Sequence, residues 1–164
     1  MLKIREFTPS DFTAVQAIYQ QGIDTGNATF QLTVKSWDEW NSSLYEFCRL
    51  VAVFEGNVVG WAALSPVSSR SVYSGVAEVS LYISSEMRNQ KVGSTLLSQL
   101  VDDSEKNGIW TLQAGIFLEN KASINVHKKN GFNLLGVREK LGKLNQEWRD
   151  VALLERRSTL VGVE

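Results

Sequence analysis

One cysteine, one histidine and two prolines are all that the 164 residues contain of those types. A lone Cys48 excludes an internal disulfide and any metal site built on clustered cysteines. No apolar run approaches the roughly 20 residues of a membrane-spanning helix. The opening "MLKIREFTPSDF" interrupts each short apolar group with a charge, unlike a secretory leader, so a cytoplasmic location is expected. An excess of one charge is also missing. The 17 basic and 18 acidic residues leave a net charge of −1, without the basic stripe that marks a nucleic-acid partner. No metal, nucleic acid or membrane is therefore expected as a partner. What remains is an ordinary globular composition, 43% hydrophobic and 21% charged, long enough for one domain over 1–164 with a single substantial core.

Periodicity supplies the element order. "LKIREF" alternates as a strand, and Ser10 or Asp11 then caps a helix carrying Phe12, Val15, Ile18 and Tyr19 at helical spacing. "GIDTGNAT" is a polar loop and "SWDEWNSSLYEF" a second short helix. "RLVAVF" and "VVGWAALS" flank "EGN" as a β-hairpin. "VAEVSLYIS" is a strand, followed by a helix over Val92–Asn107 with Val92, Leu96, Leu97, Leu100 and Val101 as its buried stripe. "IWTLQAGIF" is the next strand. Asn120 caps a short helix that stops at Asn130–Gly131, and "FNLLGVREK" and "WRDVALLERR" close the chain as strands. The order β-α-α-β-β-β-α-β-α-β-β predicts an α/β (α+β) fold: one mixed, mostly antiparallel sheet flanked by helices. The strands on either side of the Val92–Asn107 helix are candidates for a parallel pair.

The junction "RNQKVGSTLL" joins strand to helix. A helix N-terminus offers unpaired amides and about half a positive charge, a natural seat for phosphate. Lys91 stands there at a position that glycine would occupy without strain. If left-handed it costs roughly 1–2 kcal/mol, which its ammonium can offset by facing phosphate. A glycine at such a junction can equally do no more than turn the chain.

The spacing Arg88-x-x-Lys91-x-Gly93-Ser94 resembles the acetyl-CoA motif Gln/Arg-x-x-Gly-x-Gly/Ala of the GNAT N-acetyltransferases, with Lys91 replacing the first glycine. "ENKASINVHKKNGF" is similar to the later segment of that superfamily, with Asn120, Ser123, His127 and Gly131–Phe132 at the matching places. Together with "IYQQGIDTGNATF", "GVAEVSLYIS" and "GVREKLGKLNQEWRDVALLERR", the likeness spans about Ile4 to Arg157. Within the superfamily it points to the phosphinothricin and methionine-sulfone N-acetyltransferase branch.

The resemblance implies a GNAT fold, acetyl-CoA as co-substrate, a small amino-acid-like acceptor and a homodimer. It assigns the cofactor to Leu81, Tyr82 and Ile83, to the turn Arg88, Asn89, Gln90, Lys91, Val92, Gly93 and Ser94, and to Asn120. Pantetheine would run along "EVSLYIS" as one more strand, with the Leu81 amide polarising the thioester carbonyl. The same residues also read as a plain buried strand.

Acetylating an amine requires a base to free it and an acid for the departing thiolate. Glu78 is the only carboxylate between Glu55 and Glu86, and burial beside the thioester would make it the stronger base. It can equally be a solvated strand end. His127 shares a helix face with Asn120 and Ile124, at the position where the branch also has histidine. Its ordinary range near neutrality suits either proton role, although a lone histidine is more often structural. Which of the two is the principal base stays open. The branch places substrate against Phe30, Arg70, Tyr73, Glu78, Val79 and Ser80. Arg70 would receive an oxyanion, or else is a surface arginine. Where the branch has an earlier arginine in this segment, the chain has Ser68, which puts the exact substrate in doubt. Trp148 and Arg149 fall outside the expected site. Two other readings are open: acetylation of protein N-termini or polyamines, and a non-catalytic acyl-CoA sensor.

Overall fold

The computed structural model describes residues 1–88 and 91–164. Its elements are β1 (Leu2–Glu6), α1 (Phe12–Thr25), α2 (Trp37–Ser43), β2 (Leu50–Phe54), β3 (Asn57–Pro66), β4 (Val76–Ile83), α3 (Val92–Lys106), β5 (Thr111–Phe117), α4 (Lys121–Lys129), β6 (Asn133–Leu144) and β7 (Glu147–Arg157). This is the expected order. Short 3-10 turns at Pro9–Asp11, Ser71–Tyr73 and Ser85–Met87 complete it.

The strands form one sheet in the order β1-β2-β3-β4-β5-β7-β6. Every neighbouring pair is antiparallel except β4 and β5, which α3 connects as a parallel crossover. Alternation along the strands sends side chains to two cores. Leu50, Ala52, Ala62 and Leu64 pack with Leu96, Leu97 and Leu100 of α3. Val51, Trp61 and Ala63 pack with Val15, Ile18 and Tyr19 of α1 and Trp40 of α2. Leu96, Leu97 and Leu100 are wholly buried, each contributing about 1.5–3 kcal/mol by leaving water. Helices thus cover both faces, α1 and α2 on one and α3 and α4 on the other.

The ends of the elements follow local chemistry. The β2–β3 turn places Glu55 at φ 50° and Gly56 at φ 82°, the double left-handed geometry of a tight hairpin. Ser36 and Glu39 make a reciprocal capping box on α2. Asp11 holds the N-cap position of α1 as expected, but without a side-chain cap bond, because its carboxylate turns back to the preceding 3-10 turn. Its carboxylate instead accepts from the Thr8 amide at 2.8 Å and from both terminal nitrogens of Arg5 at 2.8 and 2.9 Å. The last hairpin is longer than expected, since β6 runs on through Leu144 and turns at Asn145 and Gln146 (φ 49° and 69°) without a glycine to announce it.

Candidate active site

The parallel pair separates early. Val76, Ala77 and Glu78 pair with Thr111, Leu112 and Gln113, after which both strands continue unpaired with each other. Val79–Ile83 keeps β3 on one edge and presents its other edge to a gap. That gap is a cavity of about 350 Å³, a size suited to a small ligand. The α1–α2 loop from Asn27 to Phe30 walls it, as do the diverging ends of β4 and β5, residues of β6 and β7, and α4 through Ser123 and His127.

Among the expected residues, Phe30, Glu78, Val79, Ser80, Leu81, Tyr82, Asn120 and His127 line this cleft together. Glu78 and Tyr82 lie on the α1 side of β4, whereas Val79, Leu81 and Ile83 pack toward α3. His127 enters from α4 on that second face. The two titratable groups therefore approach the gap from opposite sides of the sheet.

His127 is 2% exposed. Its Nδ1 lies 2.8 Å from the Ser123 carbonyl oxygen. A carbonyl only accepts, so this contact assigns the proton to Nδ1 and leaves Nε2 a bare lone pair. Nε2 is buried and has no partner. Burial lowers the imidazole below its ordinary range, against a smaller opposing effect of the Ser123 carbonyl; the neutral base dominates at neutral pH. Phe132 meets the ring edge to face at 5.0 Å and holds its tilt.

Glu78 differs from expectation. It is exposed rather than buried, at the last residue of β4 that pairs with β5. Gln113 Nε2 donates to its Oε1 at 3.1 Å, a partner that only the parallel register brings alongside. Tyr82 stacks on Trp61 at 5.0 Å and 13°, and burial raises its phenol. Cys48 is buried near Asn107, its thiol pushed up to about 12 chiefly by desolvation; it is no nucleophile at neutral pH.

The helix junction lies at the end of β4. Lys91 is the N-cap of α3 in the left-handed region, φ 62° and ψ 13°, with no side-chain cap bond. Arg88 and Lys91 are exposed, while the Val92 side chain is buried in the core, so only its backbone faces outward. A Cβ on Gly93 would meet nothing closer than Ile83 Cγ1 at 3.6 Å, so packing within the chain does not require this glycine. Ser94 Oγ accepts from Asn130 Nδ2 at 3.2 Å. Asn89 and Gln90 lie outside the described residues. Asn120 caps α4 through the Ser123 amide at 3.2 Å, and its Nδ2 donates to the Asn27 carbonyl at 3.2 Å.

Arg70 and Tyr73 are not brought into the cleft. Both are exposed on the β3–β4 connection, where the 3-10 turn swings outward, and the Arg70 guanidinium lies over the Tyr73 ring at 5.5 Å.

Arg149, outside the expected site, proves structural to it. It is 9% exposed. Its Nη1 donates to the Gly26 carbonyl at 2.6 Å, its Nη2 to Asn27 Oδ1 at 2.6 Å and Glu119 Oε2 at 3.2 Å, and its guanidinium covers Phe117 at 4.2 Å. It thereby fastens the loop that walls the cleft. The pocket residues Gln113, Arg138 and Leu141 also carry no local sequence signal.

Known proteins resemble this chain over most of its length. A family model described as an acetyltransferase (GNAT) domain matches residues 4–153. The phosphinothricin N-acetyltransferase of Streptomyces viridochromogenes is 30% identical over 159 residues, 94% of this chain and 87% of that protein. A phosphinothricin acetyltransferase of the GNAT superfamily from Sinorhizobium meliloti, solved in complex with acetyl-CoA, is 28% identical and superimposes with a TM-score of 0.90, covering 99% of this chain and 91% of that one. The ribosomal-protein-alanine N-acetyltransferase of Brucella melitensis is 29% identical with a TM-score of 0.88, over 95% and 99% of the two chains. The chain belongs to the GNAT family of acetyltransferases.

Proposed function

We propose that this acetyltransferase uses acetyl-CoA to acetylate the α-amine of a small amino acid or analogue, of the phosphinothricin or methionine-sulfone type, by direct transfer within one catalytic domain. The observation that carries the reading is the wedge between β4 and β5, with an unpaired strand edge along its length and His127 Nε2 unpartnered beneath it. The residues present suit the co-substrate. The free edge of Val79–Ile83 accepts an extended chain as an added strand, and the Leu81 amide serves the thioester carbonyl. Arg88, Lys91 and the amides of Val92, Gly93 and Ser94 at the α3 N-terminus suit a pyrophosphate, with Asn120 beside the cleft.

Bound acetyl-CoA supplies an activated acyl group. Glu78, exposed at the mouth and oriented by Gln113, removes a proton from the incoming ammonium through water. His127 Nε2, arriving neutral, takes the second proton that the nitrogen loses as the amide forms, and protonates the departing sulfur. Phe30, Val79 and Ser80 line the substrate side; Arg70 and Tyr73 stand outside it. A cytoplasmic homodimer is part of the same proposal. Among the described residues no helix is long and apolar enough to cross a membrane, and the outermost strand β6 exposes Leu134, Leu135 and Val137, which a second copy would cover. Among those residues, too, no cluster of His, Cys, Asp and Glu is placed to hold a metal.

The likeness to the Brucella enzyme favours a second reading, in which the acceptor is a protein N-terminus. Thiol release from acetyl-CoA separates the two. Phosphinothricin, methionine sulfone, methionine sulfoximine, the common amino acids, a polyamine and an N-terminal peptide form the panel. Turnover of a free amino acid or analogue, lost in Glu78→Gln or His127→Ala, is the expected result. Turnover of the peptide alone establishes the second reading, and acetyl-CoA binding without any turnover leaves a sensor.

A further inference from the structure

The cleft contains one cation that nothing above employs. Among the described residues lining it, Arg138 is the only lysine or arginine. It is exposed, and none of the ion pairs among those residues involves it. Register fixes its direction. Arg138 lies across from Val151, which lies across from Phe117, so the three form a row over β6, β7 and β5 on one face of the sheet. Glu78, Gln113 and Glu155 form a parallel row farther down the same face.

The strand breaks its regularity immediately beyond Arg138. Arg138 pairs with Val151 and Gly142 with Arg149, so Glu139, Lys140 and Leu141 together oppose the single residue Asp150. The Lys140 amide donates to Asp150 Oδ1 at 2.9 Å and Lys140 takes φ 46°, which pins this bulge. In a regular strand, residues three apart face opposite ways. Here both Arg138 and Leu141 line the cleft, the re-aiming that a bulge produces. Gly142 then lets Phe30 come close: a Cβ there would sit 3.1 Å from the Phe30 ring.

The geometry points to Arg138 as the residue that selects substrates by an oxyanion or strong acceptor at the far end of the side chain. This rests on the amino-acid reading of the same cleft. Glu78 and Arg138 belong to strands separated by two others, about 14 Å across the sheet, and their rows lie four residues apart along β5, about 13 Å along the strands. The α-carboxylate of an amino acid is one carbon from its amine, so an amine held for Glu78 keeps that carboxylate near β4. A phosphinate, sulfone or γ-carboxylate several bonds away extends toward β6, where a guanidinium receives two oxygens at once. Phe30 and Leu141 flank the intervening methylenes.

Steady-state kinetics of the full chain with methionine sulfone, phosphinothricin, norleucine and the α-carboxamide of methionine sulfone test this, in wild type, Arg138→Met and Arg138→Lys. Wild type is expected to prefer the first two over norleucine. Arg138→Met is expected to reduce that preference about 10- to 100-fold, the range for losing a hydrogen bond to a charged group, mainly through KM. Norleucine turnover and the KM for acetyl-CoA should stay within about twofold, and Arg138→Lys should recover part of the preference. A preference unchanged in Arg138→Met overturns the assignment, and so does equal loss on every substrate. Loss of discrimination between the acid and its carboxamide instead makes Arg138 an α-carboxylate receptor and also overturns it. Wild-type turnover of amino acids without any distal preference refutes the inference alone, whereas no turnover of any amino acid refutes the amino-acid reading together with it.

Discussion

Replacing Arg149 by methionine keeps most of the buried stem and removes the guanidinium, so it isolates the clamp between β7 and the loop after α1. Two charge-assisted hydrogen bonds to Gly26 and Asn27 are lost, each worth about 1.5–3 kcal/mol. The contact over Phe117 adds about 1 kcal/mol. The Glu119 pair adds little, because that carboxylate is 56% exposed and exposed pairs contribute about 0–1 kcal/mol. The freed loop groups regain water, since Asn27 and Ala28 are already exposed, and the net destabilisation is about 2–4 kcal/mol. Part of it is local. Amide hydrogen exchange over residues 26–30 should accelerate about 30- to 1000-fold, and Tm should fall by about 4–16 °C for a chain of this size. In the acetyl-transfer assay the acceptor KM should rise more than the KM for acetyl-CoA, because the loop carries Phe30 on the substrate side and meets the co-substrate residues through the bond from Asn120 to the Asn27 carbonyl. Arg149→Lys, which keeps one bond, should fall between the two. Wild-type exchange at residues 26–30 together with an unchanged Tm in Arg149→Met would refute the clamp.

His127→Gln should lower kcat about 10²- to 10⁴-fold, as for removal of a proton-transfer group, read from thiol release. The same variant tests burial. The native imidazole titrates below its unfolded value near 6.5, so below that pH the unfolded chain binds a proton that the native one resists. Native stability therefore declines as pH falls through 6.5 toward the folded value, and it is insensitive to this group above. Urea denaturation from pH 8 to 5 should show a shallower decline in His127→Gln. Gly75→Ala should destabilise by about 1–3 kcal/mol, because its Cβ would lie 2.1 Å from the Trp110 ring, at the turn whose carbonyl accepts from Trp110 and Thr111; a Tm within a degree of wild type would contradict this. Gly115→Val should raise the acceptor KM while leaving Tm nearly unchanged, since a Cβ there meets only Val151 at 3.4 Å and otherwise projects into the cleft.

Much of the fold is legible residue by residue. The alternation of "VAEVSLYIS", the stripe through Leu96, Leu97 and Leu100, the "EGN" hairpin and the Asn120 cap each depend on neighbours a few positions away, and each forms as expected. The parallel relation of β4 and β5 follows from the helix between them. Lys91 in the left-handed region is likewise a local consequence of where the helix begins. Less legible were the ends of elements. The turn at Asn145 and Gln146 lacks glycine, and the 3-10 turn before α1 draws the Asp11 side chain away from capping that helix.

The candidate site divides along the same line. The family motif and the types and spacing of Glu78 and His127 are present in the one-dimensional chain, because a helix or strand converts a short spacing directly into a shared face. Whether Glu78 is buried depends on what the rest of the chain packs over its face of the sheet, which no stretch of the strand encodes alone. Arg149 meets Gly26 across 123 positions and Asn27 across 122. Arg138 shares the cleft with Glu78 only through the registers of three strand pairs. By itself the sequence determined the elements, their order and the chemistry available to them, since those rest on backbone preference and local periodicity. Only the tertiary structure decided which side chains share the cleft, because that depends on pairings between segments far apart in the chain.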